Sequence, residues 1–364
     1  MTADTVGGVW TYSVELARAL RSHNVEIALA TMGRPLSSYQ HQEAKKAQNL
    51  TVFESAFRLE WMDEPWEDTA KATAWLLKIR DRFDPDAVHL NGYVHGAAPW
   101  DLPVLVVGHS CVFSWWQAVH GELPPAHWTR YREEVIRGLR AATHVTAPSR
   151  TMMSNLETLY GPFASTSVVP NGRDPQDFRM GKKSPMILSA GRLWDPAKNV
   201  TALVEIADRL PWPLYLAGED RFEQHGGDDL TKSGTQCNAI RLLGHLPSGE
   251  LADWMARASI FVMPARYEPF GFTVLEAALS GCVLVLGDIS SLRENWDGAA
   301  IFVSPDDRMQ MKQVLEDLIR DPQQLQKLGL RAQLRAREFT SERMAGEYVK
   351  LYESLCNSYS SITH

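Results

Sequence analysis

Short apolar runs recur along the chain, at residues 25–30, 87–90, 104–108, 186–190, 213–218, 260–264, 282–287 and 299–303. Each is short and bounded by turn residues, which predicts buried strands. Between them lie stretches with helical spacing. Val9, Val14, Ala17 and Leu20 share one face of a helix opened by Gly7-Gly8, and residues 68–83 read as a second. From Asp306 to the C-terminus the pattern is helical throughout. In open sheets of this kind ligands bind outside the carboxyl ends of the strands, so the chemistry is sought in the loops that follow them. The segment 219–239, with Gly226-Gly227-Asp228-Asp229, is expected to be irregular.

The stretch 260–281 carries the most information. The run Ile260-Phe261-Val262-Met263-Pro264 predicts a strand, Pro269 and Gly271 break it, Thr273 to Ser280 form a helix, and Gly281 stops it. A helix that opens straight after a Gly-containing turn points unpaired N–H groups at whatever lies in front, which suits a phosphate. Glu268 precedes the turn and Glu276 follows one turn into the helix. Carboxylates accept hydrogen bonds from hydroxyls, so two acids here can hold two parts of one molecule that carries hydroxyls at both ends of a diphosphate.

Other loops add candidates. Gly7-Gly8 lets backbone approach a ligand at the start of a helix. Arg192 and Lys198, between a strand and a helix, supply positive charge beside a phosphate. Asn91-Gly92-Tyr93-Val94-His95-Gly96 is a polar loop after a strand, and His109 ends the strand 104–108. Trp10, Trp115, Trp116 and Trp128 could stack on a sugar or aromatic acceptor. Residues 173–185, rich in Asp, Pro, Gly and Lys, read as a linker. Two motifs fail. Asp84-Pro85-Asp86 lies between a helix and a strand, where Asp and Pro make turns. Gly181-Lys182-Lys183-Ser184 has Gln176 where a phosphate-binding loop needs Gly.

Composition narrows the classes. A chain of 364 residues is long for one core and natural for two. A net charge of −7 disfavours a general nucleic-acid binder. No run approaches the roughly eighteen apolar residues of a membrane span, and residues 1–8 lack the basic and apolar regions of a signal peptide. Cys111, Cys237, Cys282 and Cys356 are far apart and form no metal pattern, which fits reduced thiols in a cytoplasmic protein. No Gly-x-Gly-x-x-Gly run follows a strand, which disfavours a nicotinamide-linked dehydrogenase.

The segment Glu268-Pro269-Phe270-Gly271-Phe272 leading into Leu275-Glu276-Ala277 resembles the donor motif of glycosyltransferase family 4, and the likeness extends from Gly7 to about Asp307. The resemblance implies an α/β chain of the GT-B fold, with two Rossmann-like domains facing across a cleft. The first, residues 1–172, would serve the acceptor, and a last helix at about 341–364 would cross back to it. The second, residues 184–340, would bind the donor.

The implied activity is metal-independent, retaining transfer of a sugar from a nucleoside diphosphate, first a UDP-sugar, to a carbohydrate or other hydroxyl-bearing acceptor. No cofactor or nucleic acid is implied, and peripheral membrane contact stays open. Glu268 would bind sugar hydroxyls and Glu276 the ribose. Arg192 and Lys198 would hold the diphosphate, as would Gly7, Gly8 and the loop Phe270, Gly271, Phe272, Thr273. The turn at Leu246 would cradle the base, and His109 would lie by the sugar or acceptor.

The resemblance also sets an expectation of something missing. A central first strand should precede Gly7, and only Met1-Thr2-Ala3 stand there, so a truncated or misassigned start and a poorly anchored first half are expected. Two rivals keep their place: a nucleotide-sugar epimerase of the same fold, and a catalytically impaired sugar-nucleotide-binding protein.

Overall fold

The computed structural model describes residues 1–219 and 239–363. The irregular segment expected around Gly226-Gly227-Asp228-Asp229, and Cys237, lie outside the described residues. The chain divides into two units, Met1–Gly172 with Ser341–His364, and Arg173–Thr340.

The first unit runs β1 (Thr2–Asp4), α1 (Gly8–Leu20), β2 (Ile27–Met32), α2 (Ser38–Lys46), β3 (Leu50–Glu54), α3 (Trp66–Phe83), β4 (Val88–Leu90), β5 (Val104–Val107), α4 (Val112–His120), α5 (Thr129–Ala141), β6 (His144–Ala147), α6 (Arg150–Tyr160) and β7 (Thr166–Val168). The strands pair in parallel in the orders β1-β2-β3 and β4-β5-β6-β7.

The expected loss of a first strand is corrected here. Thr2 and Ala3 are buried and pair with Ala30 and Thr31 of β2. On the opposite edge, Asn91 at the end of β4 donates from its backbone N–H to Thr2 Oγ1 at 2.9 Å and from Nδ2 to Thr2 O at 2.8 Å. One amide side chain thus joins the two halves of the sheet. Three residues, two of them polar, carry this strand, so no apolar run announces it. The Met1 ammonium is buried against Ala28 O at 2.8 Å, and desolvation lowers its pKa to about 5.

The second unit runs β8 (Ser184–Ala190), α7 (Val200–Ala207), β9 (Leu214–Ala217), β10 (Ile240–Gly244), α8 (Ser248–Arg257), β11 (Ala258–Met263), α9 (Phe272–Leu279), β12 (Val283–Gly287), α10 (Ser290–Trp296), β13 (Ile301–Val303), α11 (Arg308–Arg320) and α12 (Pro322–Ala336). The order β10-β9-β8-β11-β12-β13 is all parallel. Its inner strands β8, β9, β11 and β12 are largely apolar, with Ser184, Ser189 and Ser259 as exceptions, because both faces are covered. In β11, Phe261 and Met263 join one core with α9 and α12, while Ile260 and Val262 join the other with α7 and α11. Such a side chain contributes roughly 1.5–3 kcal/mol when fully buried, so an acid or amide in these runs would be expelled.

The order of strands matters more than their number. From β8 the chain winds outward through β9 and β10, and from β11 outward the other way. The loops after β8 and β11 therefore flank the point where the winding reverses, the usual ligand position in such sheets.

Two further expectations change. The C-terminal region, expected to be helical throughout with a last helix at about 341–364, is three helices, α11, α12 and α13 (Ser341–Thr363). Asp321 breaks it by capping α12 through Gln324 N–H with Pro322 in the first turn, and the second break precedes α13, which packs on α1. Residues 173–183 are not a free linker: Phe178 is in the core, Gly181 N–H donates to Ala256 O, and Arg173 pairs with Thr340. Lys183, part of the failed phosphate motif, donates to Met255 O at 3.1 Å and Ser280 O at 2.7 Å near the C-terminal ends of α8 and α9, a structural use of its charge. Asp84 closes α3 in the left-handed conformation, as a turn residue should.

Candidate functional site

In the second unit the two loops at the reversal point meet. After β8 the chain passes Gly191 and Arg192 and turns on Asp195, whose carboxylate accepts from Ala197 N–H at 2.9 Å and from Arg192 Nη2 at 2.8 Å. The short turn Pro196–Lys198 ends at Asn199, which is left-handed. After β11, Arg266 donates its N–H to Ala197 O at 2.8 Å and its guanidinium to the Asn199 side-chain oxygen. Asn199 Nδ2 in turn donates to Pro264 O at 3.0 Å and Pro305 O at 2.7 Å. Buried amide groups with every bond made are stiff, so the two loops are held in one geometry.

That geometry brings Lys198 Nζ to 2.5 Å from Glu268 Oε2, with both side chains 14% exposed. Seventy residues separate them in sequence. The other oxygen of Glu268 accepts from Phe270 N–H at 3.3 Å, and Ser291 Oγ donates to Glu268 O at 2.6 Å, so carboxylate and backbone are both pinned. A carboxylate offers about four lone-pair sites and an ammonium three donors. The pair keeps capacity for a ligand after these bonds.

The turn into α9 explains its glycine. Gly271 has φ 91°, and a Cβ there would lie 3.1 Å from Val274 Cγ2 and 3.4 Å from Glu268 Cγ, so a side chain would press on the acid itself. No side chain caps α9, and its first-turn N–H groups and dipole face the loop that carries Glu268. Thr273 Oγ1 reaches Ala190 O at 3.3 Å and ties the helix start to β8.

The other candidates of this unit divide. Phe270 is a core residue, packed near Phe272 and Phe339, so only its backbone can serve a ligand. Arg192 is partly exposed and lies over Trp194. Leu246 follows β10 partly buried against the core. Glu276 is buried, with Oε1 3.1 Å from Arg173 Nε. Asp195, Asn199, Arg266 and Ser291 are supporting residues whose roles the sequence does not announce. Their only signal is position in loops that follow strands.

In the first unit the corresponding reversal lies between β1 and β4. Gly7, exposed and with φ 101°, precedes α1, whose N-terminus carries no side-chain cap. His109 Nε2 is 2.9 Å from Asn91 Oδ1. Asn91 spends its Nδ2 donors on Thr2 O and Ser13 Oγ, so its oxygen accepts and the His109 proton sits on Nε2. Nδ1 is then the acceptor nitrogen. Desolvation lowers the His109 pKa to about 3, and the Tyr12 ring packs edge-on at 4.5 Å.

Around it lies a neutral network. Tyr12 OH is 3.3 Å from His89 Nε2, and Tyr352 OH is 2.7 Å from His89 Nδ1. Glu60 accepts from the N–H groups of Tyr93 and Val94 at 3.0 Å, and desolvation raises its pKa to about 7 in spite of these bonds. The tryptophans proposed for stacking are mostly engaged: Trp10 is buried, Trp116 packs on His120 and Trp128 on Tyr131.

Residues 6–177 match the family model described as Glycosyltransferase Family 4, and residues 184–321 the model Glycosyl transferases group 1. The chain is 28% identical over 167 residues to the O-antigen chain mannosyltransferase B of Escherichia coli, covering 44% of each chain, so the match spans less than half the length of that relative. It is 26% identical over 389 residues to the D-inositol 3-phosphate glycosyltransferase of Kineococcus radiotolerans, covering 92% of this chain and 87% of that one. The structure of Anabaena HepE in complex with UDP and glucose superposes with a TM-score of 0.78 at 16% identity, over 97% of this chain and 99% of that one. That likeness speaks to the fold, which is GT-B. No helix among the described residues is long and apolar enough to cross a membrane.

Proposed function

We propose, from the premise that this chain belongs to glycosyltransferase family 4, that it moves a hexose from a nucleoside diphosphate to an acceptor hydroxyl with retention and without a metal. The observation that carries the reading is the Lys198–Glu268 pair at 2.5 Å, set beside the uncapped start of α9 at the reversal point of the sheet. A cation, a fixed carboxylate and a row of N–H groups in one place match a diphosphate joined to a hydroxyl-rich ring.

In this reading Lys198, Arg192 and the N–H groups of Gly271, Phe272 and Thr273 hold the diphosphate. They also stabilise the charge that grows on it as the C1–O bond breaks. Glu268 accepts from sugar hydroxyls and Glu276 from the ribose. The acceptor oxygen bonds to C1 on the face the diphosphate leaves, and its proton passes to a diphosphate oxygen, so products are the glycoside and the protonated diphosphate. Glu268 is thereby a binding group and not a nucleophile, which suits a carboxylate already engaged by Lys198. On the first unit, Gly7 and Gly8 offer N–H groups to an anion, and His109, neutral at pH 7 with Nδ1 as acceptor, offers a hydrogen-bond partner for an acceptor hydroxyl.

The relatives favour a hexosyl donor, and the UDP bound to HepE makes a UDP-sugar the first one to try. The test is incubation with UDP- and GDP-hexoses and a panel of sugar and cyclitol acceptors. Glycoside with released nucleoside diphosphate is expected. Epimerised sugar nucleotide in the absence of acceptor, or binding with no turnover on any acceptor, would replace the reading with one of its rivals.

A further inference from the structure

Arg173 is the first residue of the second unit, and Thr340 the last. The two positions bond to each other: they form a parallel bridge, and Arg173 N–H donates to Phe339 O at 3.1 Å. The Arg173 guanidinium then turns inward. Its carbon lies 5.2 Å from the Phe178 ring centre, and its Nε lies 3.1 Å from Glu276 Oε1. The two side chains are 8% and 9% exposed.

A buried pair of this kind is poor value as stability alone, because desolvation cancels much of the attraction and an apolar pair of similar volume does as well. What it fixes is orientation. Glu276 sits on α9, about one turn from the diphosphate-facing end, with its Cα held by a helix packed in the core. The side chain alone still has three torsions, and the buried ion-pair contact with Arg173 restricts that freedom. Fixed charge in a site with little water needs no reorganisation when a ligand arrives.

We infer that Arg173 is a positioning residue: it holds the Glu276 carboxylate for the ribose hydroxyls of the donor, and so ties ribose recognition to the two places where the chain leaves the second unit. The inference rests on the ribose role proposed for Glu276. It assigns to a residue outside the acid motif a share in telling ribose from deoxyribose.

The test is calorimetric titration with UDP and 2′-deoxy-UDP, and with GDP and 2′-deoxy-GDP, on wild type, Arg173→Met and Glu276→Gln, with melting curves for each. Wild type should prefer the ribonucleotide by roughly tenfold, the scale of one hydrogen bond to a charged group. Arg173→Met should reduce that preference to about twofold or less while the deoxy nucleotide binds as before, a selective loss that mere loosening of the fold would not produce. If Arg173→Met fails to fold, Arg173→Gln, which keeps a polar side chain but removes the charge, is read the same way. A folded variant with the wild-type preference overturns the inference and leaves the proposed function intact. A wild type that binds neither diphosphate overturns both.

Discussion

The two units place their candidate residues at the same point of the same kind of sheet and use opposite chemistry there. In the second unit the reversal between β8 and β11 is ionic: Lys198 with Glu268, Arg192 with Asp195, Arg173 with Glu276. In the first, the reversal between β1 and β4 is neutral: His109 with Asn91, and His89 with Tyr12 and Tyr352, the histidines and tyrosines being shifted by burial towards the uncharged form. A charged ligand needs fixed countercharge, and a hydroxyl needs an acceptor that is not itself protonated. Topology sets where ligands go, and the loops decide which chemistry they meet.

The sharpest way to break this contrast is at Glu268. Glu268→Ala should cut kcat by on the order of 10²–10³-fold or more, in a protein that still folds but melts lower because Lys198 loses its partner. Turnover near wild type would remove the ionic half of the comparison. Lys198→Ala comes next, with an expected rise of about 10–100-fold in the dissociation constant for a nucleoside diphosphate, read by titration. His109→Gln, on the neutral side, should lower kcat by about tenfold and leave nucleoside diphosphate binding within roughly twofold, as expected of an acceptor-side residue. A matching loss of nucleotide binding would erase the proposed division of labour.

The smallest effect is on stability against pH. His95 and His109 have folded pKa values lowered to about 4 and about 3 by desolvation, against an ordinary value near 6.5. Their contribution is full above about 6.5 and is lost as pH falls through that window, because the unfolded chain takes up protons the folded one refuses. Glu60, raised to about 7, acts in the opposite sense, its contribution lost as pH rises from about 4.5 to 7. With several histidines set against one acid, the first unit should melt earlier at pH 4.5 than at pH 7.5. Tryptophan fluorescence reads this directly, since Trp10, Trp61, Trp66, Trp75, Trp100, Trp115, Trp116 and Trp128 all lie there. His95→Gln should narrow the difference.

Legibility in the sequence followed burial. The inner strands of the second unit are covered on both faces, so their apolar runs stand out, and the turn at Pro269 and Gly271 marks where α9 begins. From there the positions of Glu268 and Lys198 could be read. β1 could not, because its three residues include Thr2 and Asp4 and its anchoring comes from Asn91, far along the chain. Arg173 looked like a solvated linker residue, since nothing local distinguishes an arginine that turns inward from one that turns out. The last helix was legible at about 341–364, but the break before α12 was not, because Asp321 and Pro322 act as a cap and first turn inside a continuous helical pattern. Supporting groups such as Asn199 and Ser291 owe their roles to contacts across more than twenty residues, beyond the reach of any periodic signal.

The most direct measurement is a crystal structure of the protein with a nucleoside diphosphate hexose. Diphosphate oxygens are expected within about 3.2 Å of Lys198 Nζ and of the first N–H groups of α9, and sugar hydroxyls on Glu268. A nucleotide seated elsewhere, with the Lys198–Glu268 pair touching no part of it, would contradict the account.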